Sequence, residues 1–155
     1  MPKADCGMGE RGWGKLGPSL QRCHQRFISS GSLRSYALGA FCKNEEGHIK
    51  KITTRAAPKD GLTVVSSRSN REGEKNLLVN YKVKNIINLG SSLKICLIAA
   101  GEADLYPRYG PTSEWDIAAG HAILTAAGGS LTQIDGSPFL YGKDTISNPS
   151  FIAQG

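Results

Sequence analysis

Residues Gly101–Gly129 read GEADLYPRYGPTSEWDIAAGHAILTAAGG. Within them, Trp115-Asp116-Ile117-Ala118-Ala119-Gly120 sets an acid at the mouth of a helix built from small and apolar residues. A carboxylate is favoured there by the helix dipole and by the free amides of the first turn. No further carboxylate follows before Gly128-Gly129, so the helix can pack deep in a core and hold that acid rigidly. The same amides can bind a phosphate. An acid able to hold a metal, beside amides able to hold a phosphate, points to metal-assisted phosphate chemistry. Asp116 has two readings on these grounds. It is a ligand for a hard cation, which takes oxygen donors, or it is an ordinary helix cap.

Other candidates lie close by in sequence. Ser91 and Lys94 stand three apart at an expected helix start after Gly90, so hydroxyl and ammonium face one way and could hold a phosphate with the first-turn amides. The alternative is a Ser cap and a solvated lysine, and Ser92 could replace Ser91. Arg108 follows an expected strand and precedes the Gly110-Pro111-Thr112 turn, where a guanidinium can grip a phosphate bidentately or simply be solvated. Thr112 is a further candidate cap for the helix. His121 reads as a packed or partly exposed helix residue, His24 and His48 carry no assignment, and no hydrolytic triad is evident. No catalytic residue is identified in the chain.

These residues carry a resemblance. Trp115-Asp116-Ile117-Ala118-Ala119-Gly120, the apolar helix and Gly128-Gly129 resemble the C-terminal signature W-D-x-A-A-G…G-G of the inositol monophosphatase superfamily, magnesium-dependent, lithium-sensitive phosphatases of sugars and nucleotides. Gly90-Ser91-Ser92-Leu93-Lys94 and Gly101-Glu102-Ala103-Asp104-Leu105-Tyr106-Pro107-Arg108 narrow it to the 3'(2'),5'-bisphosphate nucleotidase (CysQ-type) branch, which removes the 3'-phosphate of adenosine 3',5'-bisphosphate. The resemblance covers roughly residues 36–155 and is most specific over 90–129. It implies Mg2+ as cofactor with Asp116 as a metal ligand, and Ser91, Lys94, Arg108 and Asp116 around the substrate. It also implies a phosphorylated nucleotide or sugar as partner. Ser66-Ser67-Arg68-Ser69-Asn70 resembles the family's S-R-S-H, with Asn70 where His is common; an Asn hydrogen-bonds but cannot become cationic, which weakens the nucleotide assignment.

Two family motifs are absent from the sequence. Glu45-Glu46 are the only adjacent acids, in a polar turn-like stretch, and no Asp-Pro pair occurs, so no D-P-[IL]-D-G-[ST] loop is present. The expectation is therefore the C-terminal portion of such a phosphatase, lacking the N-terminal metal-binding half and inactive or weak alone. The alternatives are an inositol monophosphatase-like sugar phosphatase, a non-catalytic phosphate- or nucleotide-binding fragment, and a gene-model product without activity.

A chain of 155 residues suits one domain, and 39% apolar with 21% charged residues is ordinary for a globular protein. The net charge of +6 is confined to one end: residues 1–60 hold 11 Lys/Arg against 5 Asp/Glu, and residues 61–155 hold 8 against 8. A nucleic-acid surface needs such charges on one folded face with stacking aromatics, so none is expected. Cys6, Cys23, Cys42 and Cys96 fit no zinc spacing, and no stretch reaches the length of a membrane span. The expected location is the cytoplasm, with peripheral association at the inner face of the membrane as an alternative. Oligomeric state is left open.

Residues 1–35 form a basic segment broken by Gly7, Gly9, Gly12, Gly14 and Gly17. A flexible tail and a non-native start are the favoured readings, ahead of an organellar transit peptide. Residues 36–155 are expected to form one domain, α/β in class (layered α+β), the C-terminal half of the inositol monophosphatase-like fold. Expected strands lie at Gly47–Thr53, Leu62–Ser66, Asn85–Leu89, Ala103–Tyr106, Ser130–Ile134 and Phe151–Ala153. Expected helices lie near Asn76–Tyr81, Ser91–Ala100 and Trp115–Ala127. Along the last, Ile117, Gly120, His121 and Leu124 share a face expected to be buried.

Overall fold

The structure, a computed structural model, describes residues 39–43, 48–67, 72–90 and 93–155. The 1–35 segment, Glu45-Glu46, the Arg68–Asn70 part of the serine-rich loop, and Ser91-Ser92 lie outside the described residues.

A small hairpin comes first. Strands β1 (Ala40–Lys43) and β2 (Ile49–Ile52) pair antiparallel, with Ala40 opposite Ile52. Ala40 and Ile52 turn into the core while Ile49, Lys50 and Lys51 stay outside. The β-branched run Leu62–Ser66 forms β3, whose Val64, Val65 and Ser66 are buried as a central strand requires. There follow α1 (Glu72–Leu78), β4 (Val83–Asn88), α2 (Leu93–Ala99), β5 (Leu105–Arg108), α3 (Glu114–Ala126), β6 (Ser130–Gln133) and β7 (Phe151–Gln154). Five strands make one sheet in the order β4-β3-β5-β7-β6. β3 runs parallel to both β4 and β5, whereas β7 is antiparallel to β5 and β6. This is the mixed, layered α/β class that the alternation of strand and helix predicts.

The topology has a consequence for function. From β3 the chain crosses through α1 to β4 on one side, then returns through α2 to β5 on the other. The carboxyl ends of these three parallel strands thus flank a switch point, where open α/β sheets form a crevice. Pro107 has no amide hydrogen and cannot extend a ladder towards β3, and the β3–β5 pairing stands at Val64–Leu105.

Helix α3 packs on α2 through Gly120, where an added Cβ would lie 3.2 Å from Ile95 Cβ. Ile117, Gly120 and Leu124 are buried and His121 is half-buried, as the helical spacing predicts. The helix closes in a Schellman motif: Gly128 N–H donates to Thr125 O at 3.0 Å and Gly129 N–H to Leu124 O at 2.9 Å. Gly128 takes φ +95°, the left-handed conformation that glycine adopts freely.

Several boundaries differ from expectation. The first helix is Glu72–Leu78 rather than Asn76–Tyr81, because the chain turns at once after Leu78, with Tyr81 N–H donating to Leu78 O. β5 begins at Leu105, not Ala103, because Ala103 and Asp104 are used to close the α2 turn and to fasten Arg55. Ala103 N–H donates to Leu97 O, and the buried Asp104 carboxylate accepts from Arg55 Nε and Nη2, each at 2.7 Å. The N-cap of α3 is Ser113, and neither Thr112 nor Asp116 fills that place.

Candidate functional site

Side chains from the ends of β3 and β5 and from helices α1 and α2, with the Leu89 carbonyl after β4, gather at the switch point. At the end of β5, Arg108 Nη1 donates to Ser67 Oγ at 2.7 Å and Nη2 to Pro111 O at 3.5 Å. Its Nε is buried without a hydrogen-bond partner among the described residues. A guanidinium tethered by one edge, with a donor left over, is poised for an anion. Lys94, in the first turn of α2, is only 5% exposed. Its Nζ donates to Leu89 O at 3.3 Å and lies 5.1 Å from the centre of the Tyr106 ring. Burial, then the nearby Arg108 charge, lower its pKa to about 8, with Glu74 acting in the opposite sense. Burial likewise raises the Tyr106 hydroxyl, against the pull of Arg108 and Ser67.

The carboxylate in this group is Glu74 of α1, 1% exposed. Its Oε2 accepts from Ser66 Oγ at 2.7 Å, and its Oε1 is buried with no hydrogen-bond partner among the described residues. Helix α1 comes close to β5 because Gly73 lets it: an added Cβ would meet the Tyr109 ring at 3.1 Å. Two cations outnumber the one carboxylate in this group, a balance that favours an anionic ligand.

Lys94 and Arg108 are therefore brought together, as a shared role requires. Ser91 falls outside the described residues. Asp116, exposed in the first turn of α3, accepts from the Ser113 amide through Oδ2 at 2.8 Å. Around it the loops are fastened. Asn148 Nδ2 donates to Thr112 Oγ1 at 3.0 Å, and Lys143 Nζ pairs with Glu114 Oε1 at 2.5 Å. His121 Nδ1 is 2.8 Å from Tyr141 Oη, and its pKa is lowered by burial. Asp116 fits as one oxygen donor to a hard cation, but the described residues assemble no group of three or more His, Cys, Asp or Glu around any point. A full magnesium shell takes about six oxygens, so these residues do not make a complete metal site.

Sequence reasoning missed Glu74 and Tyr106, and it gave Ser66 and Ser67 no role beyond the loop motif that contains them. The available signal was positional. Residues directly after parallel strands meet at a switch point, and Ser66 and Ser67 stand at the end of the β-branched run. Glu74 gave no signal of its own within a polar stretch.

The model of the inositol monophosphatase family matches residues 29–154. The chain belongs to the inositol monophosphatase family. Its likeness within the family runs to CysQ-type members. It is 43% identical over 119 residues to the 3'(2'),5'-bisphosphate nucleotidase CysQ of Escherichia coli K12, covering 76% of this chain and 48% of that protein. It is 48% identical over 86 residues to an uncharacterized protein in the pss 5' region of Rhizobium leguminosarum bv. phaseoli, covering 52% of this chain and 90% of that one. The crystal structure of CysQ from Bacteroides thetaiotaomicron superposes with a TM-score of 0.64 at 35% identity, over 77% of this chain and 51% of that one. The inositol monophosphatase of Anabaena, at 21% identity and a TM-score of 0.55, shares the fold. The chain spans about half the length of the CysQ relatives it matches. No helix among the described residues is long and apolar enough to cross a membrane.

Proposed function

We propose that this chain carries the substrate-holding part of a magnesium-dependent phosphatase that removes the 3'-phosphate of adenosine 3',5'-bisphosphate. The observation that carries the reading is the pairing of buried Lys94 with Arg108 after the parallel strand ends, where Arg108 is tethered to Ser67 and its Nε has no hydrogen-bond partner among the described residues. Similarity to proteins named as 3'(2'),5'-bisphosphate nucleotidases supports the nucleotide over a plain sugar phosphate. Lys94 and Arg108 bind and orient the phosphate, and Ser91 adds a hydroxyl. Asp116 would supply one oxygen ligand to a magnesium ion, and the chemistry that ion would add when bound is polarisation of the phosphate. The sequence holds no Asp-Pro-x-Asp-Gly loop to complete the acid set. The 155-residue polypeptide by itself therefore binds the bisphosphate and turns it over weakly or not at all. A non-catalytic phosphate-binding role is the second reading, favoured by cations assembled without an acidic cluster among the described residues.

Calorimetry of the purified chain with adenosine 3',5'-bisphosphate and with inositol 1-phosphate tests this, alongside phosphate release in magnesium. Binding of the nucleotide should weaken about 10- to 100-fold in Arg108→Met and in Lys94→Met, as expected for losing a charge-assisted contact. Equal affinity for inositol 1-phosphate would overturn the nucleotide assignment. Turnover typical of an intact enzyme, abolished by Asp116→Asn, would overturn the expected weakness.

A further inference from the structure

Two consecutive residues of α1 each hold a different strand end. Glu74 is buried and accepts from Ser66 Oγ, at the end of β3, at 2.7 Å. Gly73 lies against the ring of Tyr109, the residue after β5, where an added Cβ would stand 3.1 Å from Tyr109 Cγ. The chain neighbours of those two contacts, Ser67 and Arg108, make the bond that crosses between the strand ends, Arg108 Nη1 donating to Ser67 Oγ at 2.7 Å. Backbone pairing does not carry this join. The β3–β5 pairing stands at Val64–Leu105, and Pro107 has no amide hydrogen to extend it towards Arg108. The β3–β4 pairing runs to Ser66–Asn88, so Ser67 lies past it. Packing does not ask for an acid at position 74. Its Oε1 is buried with no hydrogen-bond partner among the described residues, a cost that an apolar residue of the same size would avoid. What the acid adds is its hold on Ser66. We propose that Glu74 is a positioning residue for Arg108: with Gly73 it makes α1 a clamp across the ends of β3 and β5, and the clamp maintains the Ser67–Arg108 bond that orients the guanidinium. The inference rests on the reading of Arg108 as a phosphate-binding group and deepens it by naming what aims that group.

The sign of the effect separates positioning from electrostatics. Removing an acid's charge alone tightens anion binding, whereas releasing Ser66 weakens it. Glu74→Met removes both the charge and the acceptor, and Glu74→Gln removes the charge but keeps an oxygen for Ser66. Inorganic phosphate is titrated into the 155-residue chain by calorimetry. Its Kd should rise about 3- to 10-fold in Glu74→Met, the scale of one hydrogen bond, and should hold or fall in Glu74→Gln. In an Arg108→Met background, Glu74→Met should cause no further loss, because the effect passes through Arg108. A second readout needs no ligand. Hydrogen exchange at Arg108 Nε is followed by 15N NMR, the signal being identified by its loss in Arg108→Met. That nitrogen is buried, so its exchange should be slow in wild type and in Glu74→Gln, and faster in Glu74→Met. A folded Glu74→Met chain that binds phosphate as tightly as wild type, or keeps Arg108 Nε as protected, overturns the proposal. So does an equal loss in Glu74→Gln, or a loss that persists without Arg108. If Glu74→Met does not fold, Gly73→Ala decides: its Cβ pushes α1 from Tyr109 and should speed the same exchange, and unchanged exchange overturns the clamp. A wild-type chain that binds no phosphate overturns the reading of the crevice as an anion site, while the exchange rates still decide whether Glu74 positions Arg108.

Discussion

Gly129→Ala should be among the most damaging small changes available in this chain. A Cβ at that position would lie 2.4 Å from Leu124 Cδ1, 2.9 Å from Leu124 Cγ and 2.7 Å from the Gln154 carbonyl oxygen. Carbon atoms pack at about 3.5–4.0 Å, so the deficit exceeds an ångström. Neither neighbour can yield cheaply. Leu124 is fully buried, and the Gln154 carbonyl belongs to β7, which pairs with β5 through Leu105 and with β6 through Ser130. Relief must come from moving α3 or bending β7, and overpacking of this kind costs about 1–3 kcal/mol or somewhat more. We expect the upper end, about 3 kcal/mol, which for a domain of this size lowers Tm by roughly 6–12 °C. Two neighbours grade the scale. Gly128→Ala meets only Thr54 Oγ1 at 3.7 Å but must hold φ +95°, at about 1–2 kcal/mol. Gly90→Ala meets nothing within 4 Å among the described residues and should stay within about 0.5 kcal/mol of wild type. Urea unfolding followed by far-UV circular dichroism measures all three. The packing account is refuted if Gly129→Ala costs no more than Gly90→Ala.

Two further outcomes concern ionisable groups. Burial works against the Asp104 carboxylate, but the hydrogen bonds from Arg55 and from the Thr63 amide outweigh it and hold its pKa below the usual value. Its contribution is therefore present above the unfolded value and lost as pH falls through the folded one. Asp104→Asn should cost about 2 kcal/mol at pH 7, reduced by the partial exposure of Arg55, with the gap to wild type closing below about pH 3.8 in acid-unfolding curves. Lys94 has the opposite sign. Its folded pKa of about 8 lies below the ordinary 10.5, so the unfolded chain holds the proton longer and native stability should rise between those two pH values. Urea midpoints measured across that window should show the rise in wild type and not in Lys94→Met.

Much of the frame was legible because local chemistry and tertiary packing agree. Leu62–Ser66 is a strand by its β-branched run and a central strand by burial. Ile117, Gly120 and Leu124 recur at helical spacing and all face inward. Boundaries were missed where a side chain engages a distant partner. No local pattern around Ala103-Asp104 announces Arg55, which is 49 residues away from Asp104. The site was half legible for the same reason. Lys94 and Arg108 stood out as cations at element ends, but Glu74 becomes visible only when the crossover through α1 packs that helix against β5 and sets the acid on Ser66. A buried acid placed by a crossover is a product of topology and leaves no periodic trace in sequence.

The stretch around Asp116 divides in the same way, and the division bears on what Asp116 is for. Ile117 and Gly120 are accounted for by packing, Gly120 by its approach to Ile95, and Gly128 and Gly129 by the helix stop and the closeness of β7. Trp115, Ala118 and Ala119 are exposed on the other face, Trp115 at 68%. Burying such a ring would contribute a few kcal/mol, and here that contribution is not made. Asp116 is explained only in part, since the Ser113 amide occupies one of its two oxygens and a Glu, Asn or Ser could serve a helix start as well. The residues that the fold demands thus lie on the inner face of α3, while the outer face presents an acid and an indole that folding of the described residues does not require. That is the pattern expected of a ligand-facing surface on a rigid helix, and it places the case for Asp116 as a metal ligand on the outer half of the motif rather than on the glycines that make the motif recognisable.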